Sequence, residues 1–364
     1  MRIPRRYIVR AVLYPLILGA ILLALKSQDH YADIAPYWVK LQEVRATQPD
    51  VVFLGSSRTL RHIDPVRLDS LRGDGVTSYN FGVQGSRALE THFRADRLLN
   101  MGLPIRRMVV EFGPVDIGVS ERVASTRRAQ HYHDARRAMI GTRVALASDR
   151  PLPRRVRPAA NRWRYWVRNT FLVGWGRAWA NSVSTEWRSE RRKVRAVGRR
   201  GHIPLRENGN TLRSARREAF LSPEGQAEFT SRVASIRART TYTPDDRDRA
   251  TAEAWISLAE RARAKGVDVV FVEQVGTERG VGVTQIVREA LGEGAVIVLN
   301  DPDRYPELFD RASWFDVGHL GEPMAIRATD ILAAELPPLE GAPAPRRVTQ
   351  GEPYGALPSP ADAR

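Results

Sequence analysis

The feature that most constrains this chain is an alternation of short apolar runs with longer amphipathic ones, which is typical of βαβ units. Five strands with interleaved helices predict a doubly wound, mostly parallel sheet, whose functional sites form beyond the carboxyl ends of the strands. The predicted strands are 50–55, 77–81, 107–112, 267–273 and 295–299, and the predicted helices are 86–101, 250–265, 284–291 and 325–336.

The N-terminus carries a second strong signal. An uncharged run over 11–25, which extends to Tyr7, follows several arginines and precedes Lys26. Its length suits a bilayer. The charge asymmetry predicts a single-pass inner or plasma membrane protein with a cytoplasmic N-terminus and a periplasmic or extracytoplasmic main domain. A cleaved signal peptide is the alternative, but residues 24–26 form a poor cleavage site. A buried core helix is disfavoured by the flanking arginines.

These signals divide the chain into five parts. They are a cytoplasmic tip and transmembrane anchor (1–26), a polar stalk (27–48), an α/β domain (49–119 and 243–336), a basic helical insertion (120–242) and a disordered tail (337–364). The chain has no cysteine, which excludes disulfides, thiolate nucleophiles and cysteine metal sites but leaves the compartment undecided. We expect no cofactor and no metal.

The basic charge of the protein is concentrated in the insertion. Residues 121–220 hold 25 Lys and Arg against 7 Asp and Glu, while the rest of the chain holds 32 against 34. A helical cap that packs its aromatics on the core is one interpretation; an interfacial element that meets anionic lipid or glycan is the other. Nucleic acid is a less suitable partner for a segment facing outside. The residues concerned are Trp163, Trp166, Trp175, Trp179, Trp187, Arg162, Arg164, Arg168, Arg188, Arg191 and Arg192.

Three motifs lie where an open parallel sheet places catalytic groups. The turn 53–58 leaves the hydroxyl of Ser57 near the start of a helix, although such turns also serve as plain helix caps. In 80–86, two glycines allow close backbone approach, and the N–H of Gly85 can face a reacting oxygen. Asp316 and His319 lie three residues apart before the last helix, so that the carboxylate can orient the imidazole as a base.

In order and context these motifs resemble the SGNH (GDSL-type) hydrolase superfamily, over about 51–116 and 245–335. The resemblance implies a flavodoxin-like three-layer sandwich with a catalytic triad of Ser57, Asp316 and His319. It also implies oxyanion donors at the backbone of Ser57 and at Gly85.

Two positions depart from the superfamily pattern. Ser56 replaces the usual aspartate of the first motif, a variant seen in envelope members similar to teichoic acid alanylation and alginate O-acetylation proteins. Val115 stands where the superfamily has an oxyanion asparagine, and losing one such donor is typically worth about 2.7 to 4 kcal/mol of transition-state stabilisation. Candidate substitutes and substrate contacts are Arg58, Asn80, Gln84 and Asp116.

The motifs favour an extracytoplasmic serine esterase or acyltransferase acting on ester-linked acyl groups. By resemblance the setting is a cell-envelope polysaccharide, with an acylated glycan or acyl donor, the bilayer and a multispanning acyltransferase as partners. The competing hypothesis, favoured by Val115, is a weakly active or inactive module that binds glycan or scaffolds an envelope assembly complex.

Overall fold

The protein is described here by a computed structural model that covers seven stretches of the chain. Predictions for Asp116, for the second half of the tryptophan-rich segment and for most of the tail lie outside the described residues. The described stretches are 4–27, 35–115, 126–173, 200–205, 211–238, 242–276 and 280–339.

A five-stranded parallel sheet with helices forms the body of the protein, which confirms the predicted α/β class. The strands lie in the order β2-β1-β3-β4-β5, and every neighbouring pair is parallel. The strands are β1 (Val51–Gly55), β2 (Ser78–Gly82), β3 (Arg107–Glu111), β4 (Asp268–Glu273) and β5 (Val296–Val298). A separate antiparallel hairpin comprises β6 (Trp314–Asp316) and β7 (His319–Leu320).

The helices of the domain follow the predicted ones within a few residues at either end. Asp64 caps the helix Pro65–Arg72 through bonds from two backbone N–H groups, with Pro65 as its first residue. Before the insertion the helices are α1 (Arg5–Ser27), α2 (Ala35–Thr47), α3 (Ser57–His62), α4 (Pro65–Arg72) and α5 (Ala88–Leu99). The insertion contains α6 (Arg127–His131), α7 (Ala135–Leu146), α8 (Leu152–Thr170), α9 (Thr211–Leu221) and α10 (Pro223–Ala238), and α11 (Asp246–Arg263), α12 (Val281–Leu291) and α13 (Glu322–Glu335) follow.

Alternation along the strands divides the core between the two faces of the sheet. In β1, Val52 and Leu54 join a cluster with α5, α11 and α12, whereas Val51 and Phe53 join a second cluster with α10 and α13. Strands buried on both sides are nearly continuous apolar runs, which is why they could be recognised in the sequence. Both clusters hold the carboxyl ends of the strands in a fixed arrangement.

The predicted stalk is partly packed onto the domain. Tyr37, Leu41 and Val44 of α2 are buried in the first core cluster. Lys40 is also buried, and its Nζ donates to the carbonyl of Asn80 at 2.7 Å. Residues 35–47 therefore belong to the body of the protein rather than to a spacer.

The N-terminal segment forms the helix that the sequence predicts. Helix α1 contains Arg10 and Pro15, and large apolar side chains are exposed along it from Tyr7 to Ile21. Among the residues that the structure describes, however, we find no helix with the length and apolar character needed to cross a bilayer. The structure therefore does not support the predicted transmembrane anchor.

Described parts of the insertion pack against the domain. Phe220 of α9 and Phe229 of α10 enter the second core cluster, and Phe229 meets Trp314 with ring centroids 5.1 Å apart. Arg162, which the interfacial interpretation assigned to lipid or glycan, is buried and donates to Nε2 of His133 at 2.9 Å. Trp163 stays 37% exposed. Phe220, Phe229 and Arg162 thus pack as a helical cap does, whereas Trp163, Val167 and Phe171 lie at the surface as the interfacial interpretation expects.

Candidate active site

The site forms where the strand order reverses. The chain passes from β1 to β2 on one side and then to β3 on the other, so a crevice opens at the carboxyl end of β1. Ser57 follows β1 by two residues and begins α3. A side chain at Gly55 has no room, because its Cβ would lie 1.9 Å from Oγ1 of Thr59 and 2.3 Å from Oε2 of Glu111. Glycine at position 55 permits the sharp turn that presents Ser57.

The three residues predicted as a triad lie within hydrogen-bond distance of one another. Nε2 of His319 is 2.8 Å from Oγ of Ser57, and Nδ1 of His319 is 2.8 Å from Oδ1 of Asp316. An ionised carboxylate only accepts hydrogen bonds, so Nδ1 carries the proton and Nε2 presents its lone pair to the hydroxyl. This arrangement suits removal of a proton from Ser57.

A tight hairpin fixes the acid and the base. Asp316 in β6 pairs with His319 in β7, and the N–H of Gly318 donates to Oδ1 of Asp316 at 2.8 Å. Burial disfavours the charged carboxylate, but the hydrogen bond and charge of His319, together with the Gly318 N–H, lower the pKa of Asp316 below its ordinary value. Asp316 is therefore an anion at neutral pH.

A second histidine, which the sequence analysis missed, lies behind His319. His62 of α3 is fully buried, with its ring centroid 6.2 Å from that of His319. Burial, followed by the charges of His319 and Arg58, lowers the pKa of His62 well below its ordinary value. Its Nε2 accepts the N–H of Leu320 at 3.1 Å, so His62 positions the strand that carries His319.

Glu111 braces the turn that carries the nucleophile, and it too was missed. At the end of β3, its carboxylate accepts the N–H of Ser56 at 2.7 Å and the hydroxyl of Ser56 at 2.6 Å. It also accepts the hydroxyl of Thr59 at 2.6 Å and, more weakly, the N–H of Thr59 at 3.3 Å. The only sequence signal was an acidic residue closing an otherwise apolar strand.

Ser56 takes a structural role at the position where the superfamily has aspartate. Its Oγ accepts the backbone N–H of Arg58 at 3.1 Å and so caps α3. The same oxygen donates to Glu111. The hydroxyl thus couples the start of α3 to the end of β3.

In the described stretches, two backbone N–H groups of the loops that follow β1 and β2 are left unpaired. Gly82 is the register partner of Gly55, and the N–H of Val83 continues the pairing by donating to the carbonyl of Gly55 at 3.0 Å. Gly85 follows in a turn with φ of +68°, a value that favours glycine. Within the described stretches, the N–H groups of Ser57 and Gly85 have no hydrogen-bond partner. Both are free to donate to a developing oxyanion.

A buried arginine, Arg94, binds both the turn after β1 and the loop after β2. The Arg94 guanidinium donates to the carbonyls of Phe81 at 2.8 Å and Gly55 at 2.7 Å, and to Oγ of Ser86 at 2.6 Å. Arg94 is 1% exposed. Because its contacts bracket Gly85 on both sides and reach the turn before Ser57, we identify Arg94 as a positioning residue. Nothing in the helical pattern of α5 pointed to it.

The residues that could substitute for the oxyanion asparagine expected at position 115 differ in how they are placed in the structure. Asn80 is fully buried: its Nδ2 donates to the carbonyls of Thr59 and Ile63, and its Oδ1 accepts the N–H of Gly82. Its side chain is therefore occupied within the protein and is not placed to contact a substrate. Gln84 is exposed at the rim. Arg58 extends from the nucleophile turn over Gly276.

Val115 does not line the crevice. It is 2% exposed and packs in an apolar cluster with Leu89, Ala129 and Tyr132. At this position an aliphatic side chain packs the insertion against the domain. It does not supply the hydrogen-bond donor that an asparagine would.

The insertion also reaches the hairpin that carries Asp316 and His319. Arg217 of α9 donates to the carbonyls of Trp314 and Phe315, immediately before Asp316. The hairpin is thus held from the sheet side by His62 and from the insertion side by Arg217. In the described part of the chain, no group of three or more His, Asp and Glu side chains has the geometry to hold a metal ion.

Comparison of the chain with protein-family models, with curated proteins and with solved structures finds no match. The site is therefore interpreted from its own geometry and from the order of its motifs.

Proposed function

We propose that this protein is a serine esterase or acyltransferase of the SGNH type. One observation carries the proposal: the hydroxyl of Ser57, the imidazole of His319 and the carboxylate of Asp316 form a continuous hydrogen-bonded chain with two 2.8 Å contacts. These groups come from parts of the chain 262 residues apart. A hydroxyl, a base and a base-orienting acid at the end of a parallel sheet constitute the machinery of acyl transfer.

In the proposed reaction, Nε2 of His319 takes the proton of Ser57 as Oγ bonds to the ester carbonyl carbon. The carbonyl oxygen becomes an oxyanion facing the N–H groups of Ser57 and Gly85. Collapse breaks the bond to the alcohol, which leaves with the proton from His319, and an acyl group remains on Ser57. Water or a sugar hydroxyl then gives its proton to His319 as its oxygen bonds to the acyl carbon, and the bond from that carbon to Oγ breaks. His319 returns the proton to Oγ, which restores Ser57.

Superfamily membership and the biological setting are parts of this proposal. The strand order β2-β1-β3-β4-β5 supports the flavodoxin-like arrangement expected from the resemblance. Action on acyl groups of an envelope polysaccharide and a multispanning acyltransferase partner rest on the resemblance alone, and the extracytoplasmic location rests on the apolar run and charge asymmetry of the N-terminal sequence.

Fluorophosphonate labelling of the purified protein tests the proposal. We expect labelling of Ser57 that is lost in Ser57→Ala and strongly slowed in His319→Ala. Ser148→Ala is the matched control, since Ser148 is a buried serine outside the site. Labelling that persists in Ser57→Ala, or its absence from a folded wild-type protein, would refute the enzyme.

A second candidate function is a non-catalytic module that binds glycan or scaffolds an assembly complex. The burial of Val115 in an apolar cluster favours it, because that position offers no third oxyanion donor. Fluorophosphonate labelling also separates the two candidates. A non-catalytic module leaves Ser57 unlabelled, although the wild type and Ser57→Ala unfold at the same temperature.

A further inference from the structure

The guanidinium of Arg58 lies in a fitted slot beside the nucleophile. The backbone N–H of Arg58 is held by Ser56, and its half-buried side chain runs to the loop after β4. A Cβ on Gly276 would lie 2.8 Å from Cζ of Arg58, 3.0 Å from Nε and 3.1 Å from Nη2. Glycine at position 276 therefore leaves the space that the guanidinium occupies.

This guanidinium differs from its neighbours in having nothing to bind. Arg61 donates to the carbonyl of Ile203, Arg128 to Glu90 and Arg217 to the carbonyls of the catalytic hairpin. Across the stretches the structure describes, the side chain of Arg58 makes neither a hydrogen bond nor an ion pair. A guanidinium has five N–H donors, and those of Arg58 are therefore available to a ligand that enters the crevice.

The carboxylates at this edge of the sheet are already engaged. Glu111 binds Ser56 and Thr59, and Asp316 binds His319. Glu273, at the end of β4, accepts the hydroxyl of Thr284 at 2.8 Å and the amide of Asn300 at 3.1 Å. Among the described residues, none of these three acids forms an ion pair with Arg58. The guanidinium beside Ser57 is therefore left without a carboxylate partner in the described part of the chain.

The geometry points to a substrate that carries a negative charge. We propose that Arg58 binds a carboxylate or phosphate group of the substrate, close to the ester carbonyl that Ser57 attacks. A planar guanidinium matches these groups because it can form two parallel hydrogen bonds with them. The inference rests on the proposed function and deepens it by naming anionic esters as the substrate class.

Paired model esters test this inference on the full-length protein. On the acyl side, 4-nitrophenyl acetate is compared with 4-nitrophenyl hydrogen succinate; on the alcohol side, phenyl acetate is compared with 4-acetoxybenzoate. For at least one pair we expect kcat/KM to be about 10-fold higher for the anionic ester at low salt, as for a hydrogen bond between charged groups. Added salt should reduce the preference.

The preference, measured as a ratio within each variant, reports on Arg58 independently of overall activity. We expect the ratio to fall to about one in Arg58→Gln and to be intermediate in Arg58→Lys, which keeps the charge but loses the planar fork. Arg106→Gln, at the amino edge of the sheet, is the matched control and should keep the wild-type ratio.

Two results would overturn the inference: equal turnover of charged and neutral esters by the wild type, or a preference that survives Arg58→Gln. Either result leaves the proposed function intact if Ser57 is still labelled. Absence of both turnover and labelling removes the proposed function and the inference together.

Discussion

Glu111→Gln is the most informative single change, because it removes a charge while keeping the shape of the side chain. With its oxygen in the place of Oε2, glutamine keeps three bonds, from the N–H of Ser56 and from the N–H and hydroxyl of Thr59. Each bond loses its charge assistance, which is worth about 1 kcal/mol. Because Glu111 is only half-buried, we discount the total to about 2 kcal/mol of unfolding free energy, which lowers Tm by about 5 °C.

The variant should lose more activity than its lower stability alone would cause. Glu111 holds the residue immediately before the nucleophile, and a misplacement of about 1 Å can cost about 100-fold in rate. We therefore expect kcat for 4-nitrophenyl acetate and the rate of fluorophosphonate labelling to fall by about that factor. Both are measured well below the Tm of the variant.

Glu273→Gln provides the matched control for this experiment. Glu273 also closes a strand of the sheet and accepts side-chain hydrogen bonds, but its partners are Thr284 and Asn300 rather than the nucleophile turn. It should lose similar stability and keep most of its kcat. If the two variants lose activity equally, Glu111 does not brace the catalytic turn and our reasoning is wrong.

Three further predictions follow from the same structure. In Arg94→Lys, kcat should fall about 10-fold or more with little change in KM, because one ammonium cannot replace all the hydrogen bonds of the planar guanidinium. Arg137 is equally buried but lies outside the site, so Arg137→Lys should lose only stability. Gly85→Ala should lower kcat, while Gly102→Ala, with a similar φ of +66°, should cost only backbone strain. Burial, with a neighbouring arginine, lowers the pKa of His133 to about 3, so the folded state keeps it neutral while the unfolded chain binds a proton below about pH 6.5. Stability should therefore fall from about pH 6.5 toward pH 3, and His133→Gln should make this dependence of the urea midpoint less steep, since the buried His62 and His92 contribute in the same direction.

The sequence predicted the sheet well because its strands are buried on both faces. Four of them contain short apolar runs, whereas β2 includes Ser78 and Asn80. The helices between the strands carry N-cap residues and C-terminal glycines that are recognisable in the sequence. Ser57 and the Asp316–His319 pair were recognisable for a related reason: each lies in a short motif at the end of a strand or in a tight turn.

Other expectations concerned the partner that a polar side chain would bind, and in the structure these side chains have different partners. Asn80 was expected at the substrate, yet it binds the backbone of α3. Residues of the predicted stalk and Arg162 of the insertion are buried in packing contacts. A polar side chain in a sequence does not reveal whether its partner is solvent, substrate or another carbonyl.

The sequence by itself determined the strands, the helices and the residue types that can perform acyl transfer, because these follow from local periodicity and local chemistry. Only the tertiary structure decided that Glu111, His62 and Arg94 support the turn of Ser57, the strand of His319 and the loop of Gly85. These three residues act across the sheet on backbone groups that are distant in the chain. Their identity depends on which strand ends and loops become neighbours, and no local pattern contains that information.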